Sequence, residues 1–222
     1  QEYDYCLEQH IENLERLIAH LDLHHVTMVL HDWGGAIGMG YATRHPENVA
    51  RFVLFNTAAF YQPTLPLRIK ICRLPLLGDL LLRGLNAFAR LALFWAPYHR
   101  ERLTPAVQAG YLAPYDSWQN RIAILRFVQD IPLERRHPSR QALHDIESNL
   151  YLLSRHPMLI IWGAQDFCFT VQDFLTQWQT HFPYAETRVV PDAGHYVVED
   201  AHERIVPWMR EFLAQHPPGQ RI

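Results

Sequence analysis

The stretch "MVLHDWGGAIGMGYATRHP", Met28 to Pro46, decides the fold. A short apolar run, Val26 to Leu30, stops at His31-Asp32-Trp33-Gly34-Gly35, and a helical pattern then begins. An apolar run of this length between polar boundaries reads as a central strand of a parallel sheet, covered on both faces. A carboxylate at the tip of such a strand is costly unless it is partnered. Capping the next helix is one reason to place it there, and chemistry is another.

Working outward, Leu7, Ile11, Leu14, Ile18 and Leu21 fall on one face of an amphipathic helix, with Glu8, Glu12 and Glu15 pointing away. A second helix, Gly35 to Arg44, stops at Pro46. "RFVLFN", Arg51 to Asn56, is the next strand, so the order is β-α-β and the crossover makes the strands parallel. From Phe60 to about Leu150 prolines recur, the pattern is helical and no strand signal stands out. Strand character returns in "MLIIWG" (Met158 to Gly163) and "ETRVV" (Glu186 to Val190), with a helix near Val171 to His181 between them. A last helix carries Ile205, Val206, Trp208, Met209, Phe212 and Leu213. The expectation is an α/β fold with a mostly parallel sheet: core residues 1–59 and 151–222, interrupted by a helical cap at 60–150.

A chain of 222 residues can bury one sizeable core, and 49% apolar with 19% charged residues is a globular balance. The net charge is −3 with no basic block, which argues against a nucleic-acid partner. Cys6, Cys72 and Cys168 are scattered and odd in number, and read as reduced thiols of a cytoplasmic protein. No apolar run is long enough to span a membrane. The nearest, Leu74 to Trp95, reads as one greasy helix with a narrow polar stripe at Asp79, Arg83, Asn86 and Arg90. Such a helix is buried on most sides, or it lines an apolar pocket or rests on a membrane surface or a partner.

Open α/β sheets bind ligands beyond the carboxyl ends of their strands. Asp32, Asp166 and His195 each follow a strand, in that order along the chain. Each alone has an ordinary explanation as a cap, a turn residue or a loop histidine; three strand ends together make a nucleophile, an orienting acid and a base. The helix after Asp32 favours its charge, Gly34 is expected to let strand and helix approach, and the Trp33 N–H can face a developing oxyanion. No paired Cys/His spacing points to a metal, and no motif points to a cofactor.

These residues carry a likeness. "HDWGG", the acid turn "WGAQDF" and the histidine loop "DAGHYVVED" resemble the haloalkane dehalogenase and epoxide hydrolase branch of the α/β-hydrolase fold, whose nucleophile is aspartate. "GYLAPYDSWQNRIAILRFVQDIPL" is similar to the dehalogenase cap. "NTAAF", "RLPLLGDLLLRGLNAFAR" and "YLAPYDSW" resemble the β-lactone decarboxylases of bacterial olefin biosynthesis. The resemblance implies Asp32 as nucleophile, His195 as base, Asp166 as its partner, and Trp33 as a donor to the oxyanion or leaving group. It also implies a pocket in which Trp95, Trp118, Phe60 and Phe167 are candidate contacts. The implied substrate is a small hydrophobic molecule, a cis-dialkyl β-lactone giving alkene and carbon dioxide. The implied partners are other olefin-biosynthesis enzymes, and peripheral membrane association is compatible with it.

Two departures stand out. Leu30 occupies a position where elbows of this kind carry a smaller residue. The strands with which the family begins, including a His-Gly-Asn-Pro-like loop supplying a second oxyanion donor, have no match here, so the expectation is either a fragment of a longer protein or an incomplete oxyanion hole. Competing readings are haloalkane dehalogenation by the same Asp32, epoxide hydrolysis using Tyr98, Tyr111 or Tyr115 as acids, and a non-catalytic scaffold.

Overall fold

The computed structural model describes residues 3–218, and element bounds below refer to these. Helix α1 (Leu7–His20) buries Leu7, Ile11 and Ile18, the spacing of one helical face. Leu21 lies past its end and is exposed. Strand β1 (Val26–Asp32) runs two residues beyond the apolar stretch, and α2 (Trp33–Arg44) starts immediately, earlier than the glycines suggest. Arg44, at the end of α2, pairs with Glu8 of α1 at 2.7 Å. Strand β2 (Val49–Thr57) extends the "RFVLFN" run by residues at both ends.

Between β2 and the next strand, the described residues are helical: α3 (Leu67–Cys72), α4 (Ala87–Trp95), α5 (Pro105–Leu112), α6 (Ile122–Gln129) and α7 (Pro138–Asn149). Strand β3 (Met158–Gly163) and strand β4 (Glu186–Val190) fall where the sequence places them. The helix near Val171 divides into a wide turn, Val171–Leu175, and α8 (Thr176–His181). The chain closes with α9 (Val197–Gln215), kinked at Ala201.

The single greasy helix expected from Leu74 to Trp95 is not formed. Pro75, Leu76 at φ 63°, a wide turn at Asp79–Gly84 and left-handed Asn86 at φ 51° break it before α4 begins. Residues with positive φ cannot propagate a right-handed helix. Nor is the stretch buried on most sides: Leu74, Leu76, Leu80, Leu85 and Phe94 are exposed.

The described sheet has the order β1-β2-β3-β4, every pair parallel. Leu30, Leu54 and Ile160 align across it, and every residue of β3 is buried. Two apolar layers cover its faces. One gathers α1, α2, α7 and α8 around Met39, Phe52 and Trp162; the other packs α9 through Ile205 and Phe212 against Val53 and Ile161. Two buried tryptophans pin strand ends to their neighbours: from β3, Trp162 Nε1 donates to the Phe169 carbonyl of the following loop at 3.0 Å, and from α8, Trp178 Nε1 donates to the Thr57 carbonyl at the end of β2 at 2.9 Å. Each such bond contributes about 1 kcal/mol, and leaving its donor unpaired inside the core would cost more. The carboxyl ends of β1, β3 and β4 therefore open on one rim.

Candidate active site

Asp32 sits on a strained turn, with φ 50° and ψ −130°. A non-glycine residue held there costs about 1–3 kcal/mol, which the surroundings must impose. They do so by close packing. The Thr57 hydroxyl donates to the Asp32 carbonyl. A Cβ on Gly35 would collide with that same hydroxyl, and one on Gly38 would collide with the Leu30 side chain. The approach of helix to strand thus depends on Gly35 and Gly38. Gly34, expected to provide it, has open space around it. The large Leu30 is accommodated because Gly38 faces it.

His195, five residues past β4, brings its ring between two carboxylates. Its Nδ1 donates to Asp166 Oδ2 at 2.8 Å, and its Nε2 lies 3.7 Å from Asp32 Oδ2. Asp166 is fully buried behind the ring, and its other oxygen accepts from the N–H groups of Cys168 and Phe169 at 2.7 and 3.0 Å. The Asp32 side chain retains 46% exposure, on the open side of the site. Burial pushes the His195 pKa down, but the hydrogen bonds and charges of Asp166 and Asp32 outweigh it and raise it to about 10. Burial pushes Asp32 up, and His195, His31 and the Trp33 N–H more than reverse this, holding it below the usual carboxylate range. At neutral pH this favours a carboxylate at Asp32 and an imidazolium at His195.

Asp32, Trp33, His195 and Tyr196 face a cavity of about 460 Å³, whose wall also carries the polar side chains of Gln62, Thr64 and Tyr115. Most of the remaining wall is apolar and includes Phe60, Phe88, Phe127 and Phe167. Trp95 and Trp118 do not line it. Both are partly exposed and stack under guanidinium groups, Trp95 with Arg68 at 4.9 Å and Trp118 with Arg83 at 4.3 Å. Of the three tyrosines considered as acids, Tyr115 lines the cavity. Tyr98 is exposed, and Tyr111 donates to Glu199 at 2.9 Å and stacks on Tyr196.

Three residues of the site escaped the sequence reading. His31 Nε2 donates to the His195 carbonyl at 2.9 Å and its ring lies 4.5 Å from the His195 ring; its place in "HDWGG" was the available signal. Tyr196 faces the cavity with its hydroxyl pushed up to about 12 by burial and the Asp32 charge, so it is a neutral donor there. Asp200, wholly buried, accepts from the Gly194 and Tyr98 N–H groups through Oδ2 and from the His99 N–H through Oδ1, each at 2.8 Å. It ties the loop bearing His195 to the segment after α4. The Ala96 carbonyl adds a fourth link by accepting from the Tyr196 N–H at 3.2 Å. A buried acid inside an amphipathic helix was its only sequence signal.

A parallel sheet with Asp32, Asp166 and His195 at or beyond the carboxyl ends of β1, β3 and β4 is the arrangement of an α/β hydrolase. The model of the alpha/beta hydrolase fold matches residues 1–201, and the chain belongs to that family. It is 43% identical over 217 residues to a cis-3-alkyl-4-alkyloxetan-2-one decarboxylase of Shewanella oneidensis, covering 96% of this chain and 68% of that protein. It is 41% identical to the Xanthomonas campestris protein of the same name, covering 97% of this chain and 72% of that one. A haloalkane dehalogenase of Mycobacterium tuberculosis is 26% identical, with 91% of this chain and 69% of that protein covered. The crystal structure of a haloalkane dehalogenase from Agrobacterium tumefaciens superimposes with a TM-score of 0.85 at 23% identity, over 97% of this chain and 75% of that one. Among the described residues no cluster of three or more His, Cys, Asp or Glu side chains is arranged to hold a metal ion, and no helix is long and apolar enough to cross a membrane.

Proposed function

We propose that the chain carries the decarboxylation site for a cis-3,4-dialkyl β-lactone, with Asp32 as nucleophile. The observation that supports this best is a carboxylate kept anionic in the wall of a mostly apolar cavity. The 43% identity to an oxetanone decarboxylase supports this substrate class.

Asp32 attacks the ring carbon that bears oxygen. A C–O bond forms to Asp32, the ring C–O bond breaks, and its electron pair stays on the released carboxylate. That leaving group needs no proton, and Trp33 and the His195 imidazolium are placed to face it. The carbon–carboxylate bond then breaks, its electrons form the alkene, and the Asp32 carboxylate departs. Carbon dioxide and alkene leave, and no water is consumed. The alkyl groups lie against the phenylalanine wall, which takes them out of water at about 25 cal/mol per Å².

A second reading, hydrolytic dehalogenation, draws on Trp33 at the cavity wall. Esterification of Asp32 removes one of the two charges that hold the His195 proton, so His195 becomes a base for water. One assay separates the two: incubation with a long-chain cis-β-lactone and, separately, a 1-bromoalkane, with alkene and bromide measured. Alkene from the lactone without bromide from the bromoalkane is the expected result. Bromide without alkene would replace this reading with the second.

A further inference from the structure

Residues 67–95 form a band of three short helical pieces, α3, the Asp79–Gly84 turn and α4, packed on one another. Their inner sides supply Ile69, Phe88 and Ala92 to the cavity wall. Their outer sides are also apolar: Leu67, Leu74, Leu76, Leu80, Leu85 and Phe94 are all exposed. The band holds ten of the 23 exposed large hydrophobic residues in the described chain, a density that isolated surface leucines do not reach. Leu76 is the sharpest case. It is 85% exposed and sits at φ 63°, where a leucine is strained and asparagine or glycine would not be. Its side chain finds almost no cover within the fold to offset that strain.

The charge around this face is one-sided. Arg68, Lys70, Arg73, Arg83 and Arg90 stand against two carboxylates, Asp79 of the band and Glu134 packed on it, a local balance of +3 in a chain whose net charge is −3. Glu134 meets Arg73 and Asp79 meets Arg83, while Lys70 and Arg90 are exposed and make no ion pair among the described residues. Leucine and aromatic side chains rimmed by Lys and Arg suit the boundary between acyl chains and anionic headgroups.

We propose that this band docks the protein on anionic lipid bilayers. The leucines enter the acyl boundary and the cations meet phosphate headgroups. The cavity wall is then one helix, about 10 Å, from the lipid. A lipophilic substrate or product passes between bilayer and cavity without crossing bulk water. Docking goes beyond the proposed chemistry and holds for any lipophilic substrate.

The test is cosedimentation of the purified protein with vesicles of phosphatidylcholine alone or with phosphatidylglycerol added, at low and high salt. Binding to the anionic vesicles, weakened by salt, is expected. Lys70→Glu with Arg90→Glu is expected to weaken it about fivefold per charge. Leu76→Asn with Leu80→Asn is expected to weaken it by about tenfold or more, with turnover of a water-soluble short-chain substrate unchanged. Absence of binding to both vesicle types would overturn the proposal. So would binding that ignores phosphatidylglycerol and these substitutions. A concentration-dependent dimer dispersed by Leu76→Asn with Leu80→Asn would assign the face to a second copy instead, and stoichiometric capture by a purified protein partner without vesicle binding would assign it to that partner.

Discussion

His195 stands between Asp166, bonded to its Nδ1 at 2.8 Å, and Asp32, 3.7 Å from its Nε2. One carboxylate is locked by two backbone donors and the other is free to face the cavity, so they cannot exchange roles. Asp32→Asn keeps the shape and removes the charge. Turnover is expected to fall by about three orders of magnitude or more, as for loss of a covalent nucleophile. The His195 pKa is expected to fall with it, since one of the two charges raising it is gone. Product formation and an NMR titration of His195 measure the two effects separately; full turnover in Asp32→Asn would remove Asp32 from the mechanism.

The raised His195 pKa has a consequence for stability. The folded chain holds this proton to about pH 10, whereas an ordinary histidine releases it near 6.5. The stability gained from it is complete below about pH 6.5 and is lost as pH rises toward 10. Across that window the unfolding free energy is expected to decline with a one-proton component of about 1.4 kcal/mol per pH unit. Urea unfolding at stepped pH values measures it. His195→Gln is expected to lack this component, and an unchanged slope in that variant would assign the proton elsewhere.

Asp200 is a positioning residue. Its carboxylate satisfies three backbone N–H groups, one of them the buried N–H of Gly194 next to His195. Asp200→Ala removes the acceptor of all three, at about 1–3 kcal/mol for the buried Gly194 donor and less for the two part-buried ones. Asp200→Asn keeps an acceptor on one side only. The expected outcome is a graded loss of kcat, larger for Ala than for Asn, with KM little altered in Asn because the cavity wall is untouched. A uniform loss of folded protein, with normal kcat in the folded fraction, would mean that Asp200 acts on stability alone.

What was legible in the sequence follows from how each signal arises. β3 and β4 were bounded correctly because apolar runs ending in glycine or proline leave little choice. Asp32, Asp166 and His195 were legible because a strand end is a local feature. The 74–95 stretch was misread because its leucines give helical periodicity whatever the backbone does, and the positive φ of Leu76 and Asn86 has no hydrophobic signature. Trp95 and Trp118 were misplaced because a tryptophan under an arginine looks, in sequence, like one lining a pocket. Asp200 and His31 act through contacts with residues far away in the chain, which no local pattern reports.

The paired glycines after Trp33 separate in their consequences. Gly34 lies in α2 with nothing near its missing Cβ, so Gly34→Ala replaces a poor helix former by a good one at no steric cost. A gain of about 0.5–1 kcal/mol is expected, partly through a less disordered unfolded chain. Gly35 faces the Thr57 side chain at a distance no real Cβ can occupy. Gly35→Ala must push α2 from β2 or displace the hydroxyl that holds the Asp32 carbonyl, and a loss of about 1–3 kcal/mol is expected. Activity should fall further than stability, because the same hydroxyl helps fix the strained turn at Asp32. Thermal unfolding and turnover of the two variants, measured side by side, check this. If Gly35→Ala matched Gly34→Ala in both, the close approach at Thr57 would have no part in shaping the elbow.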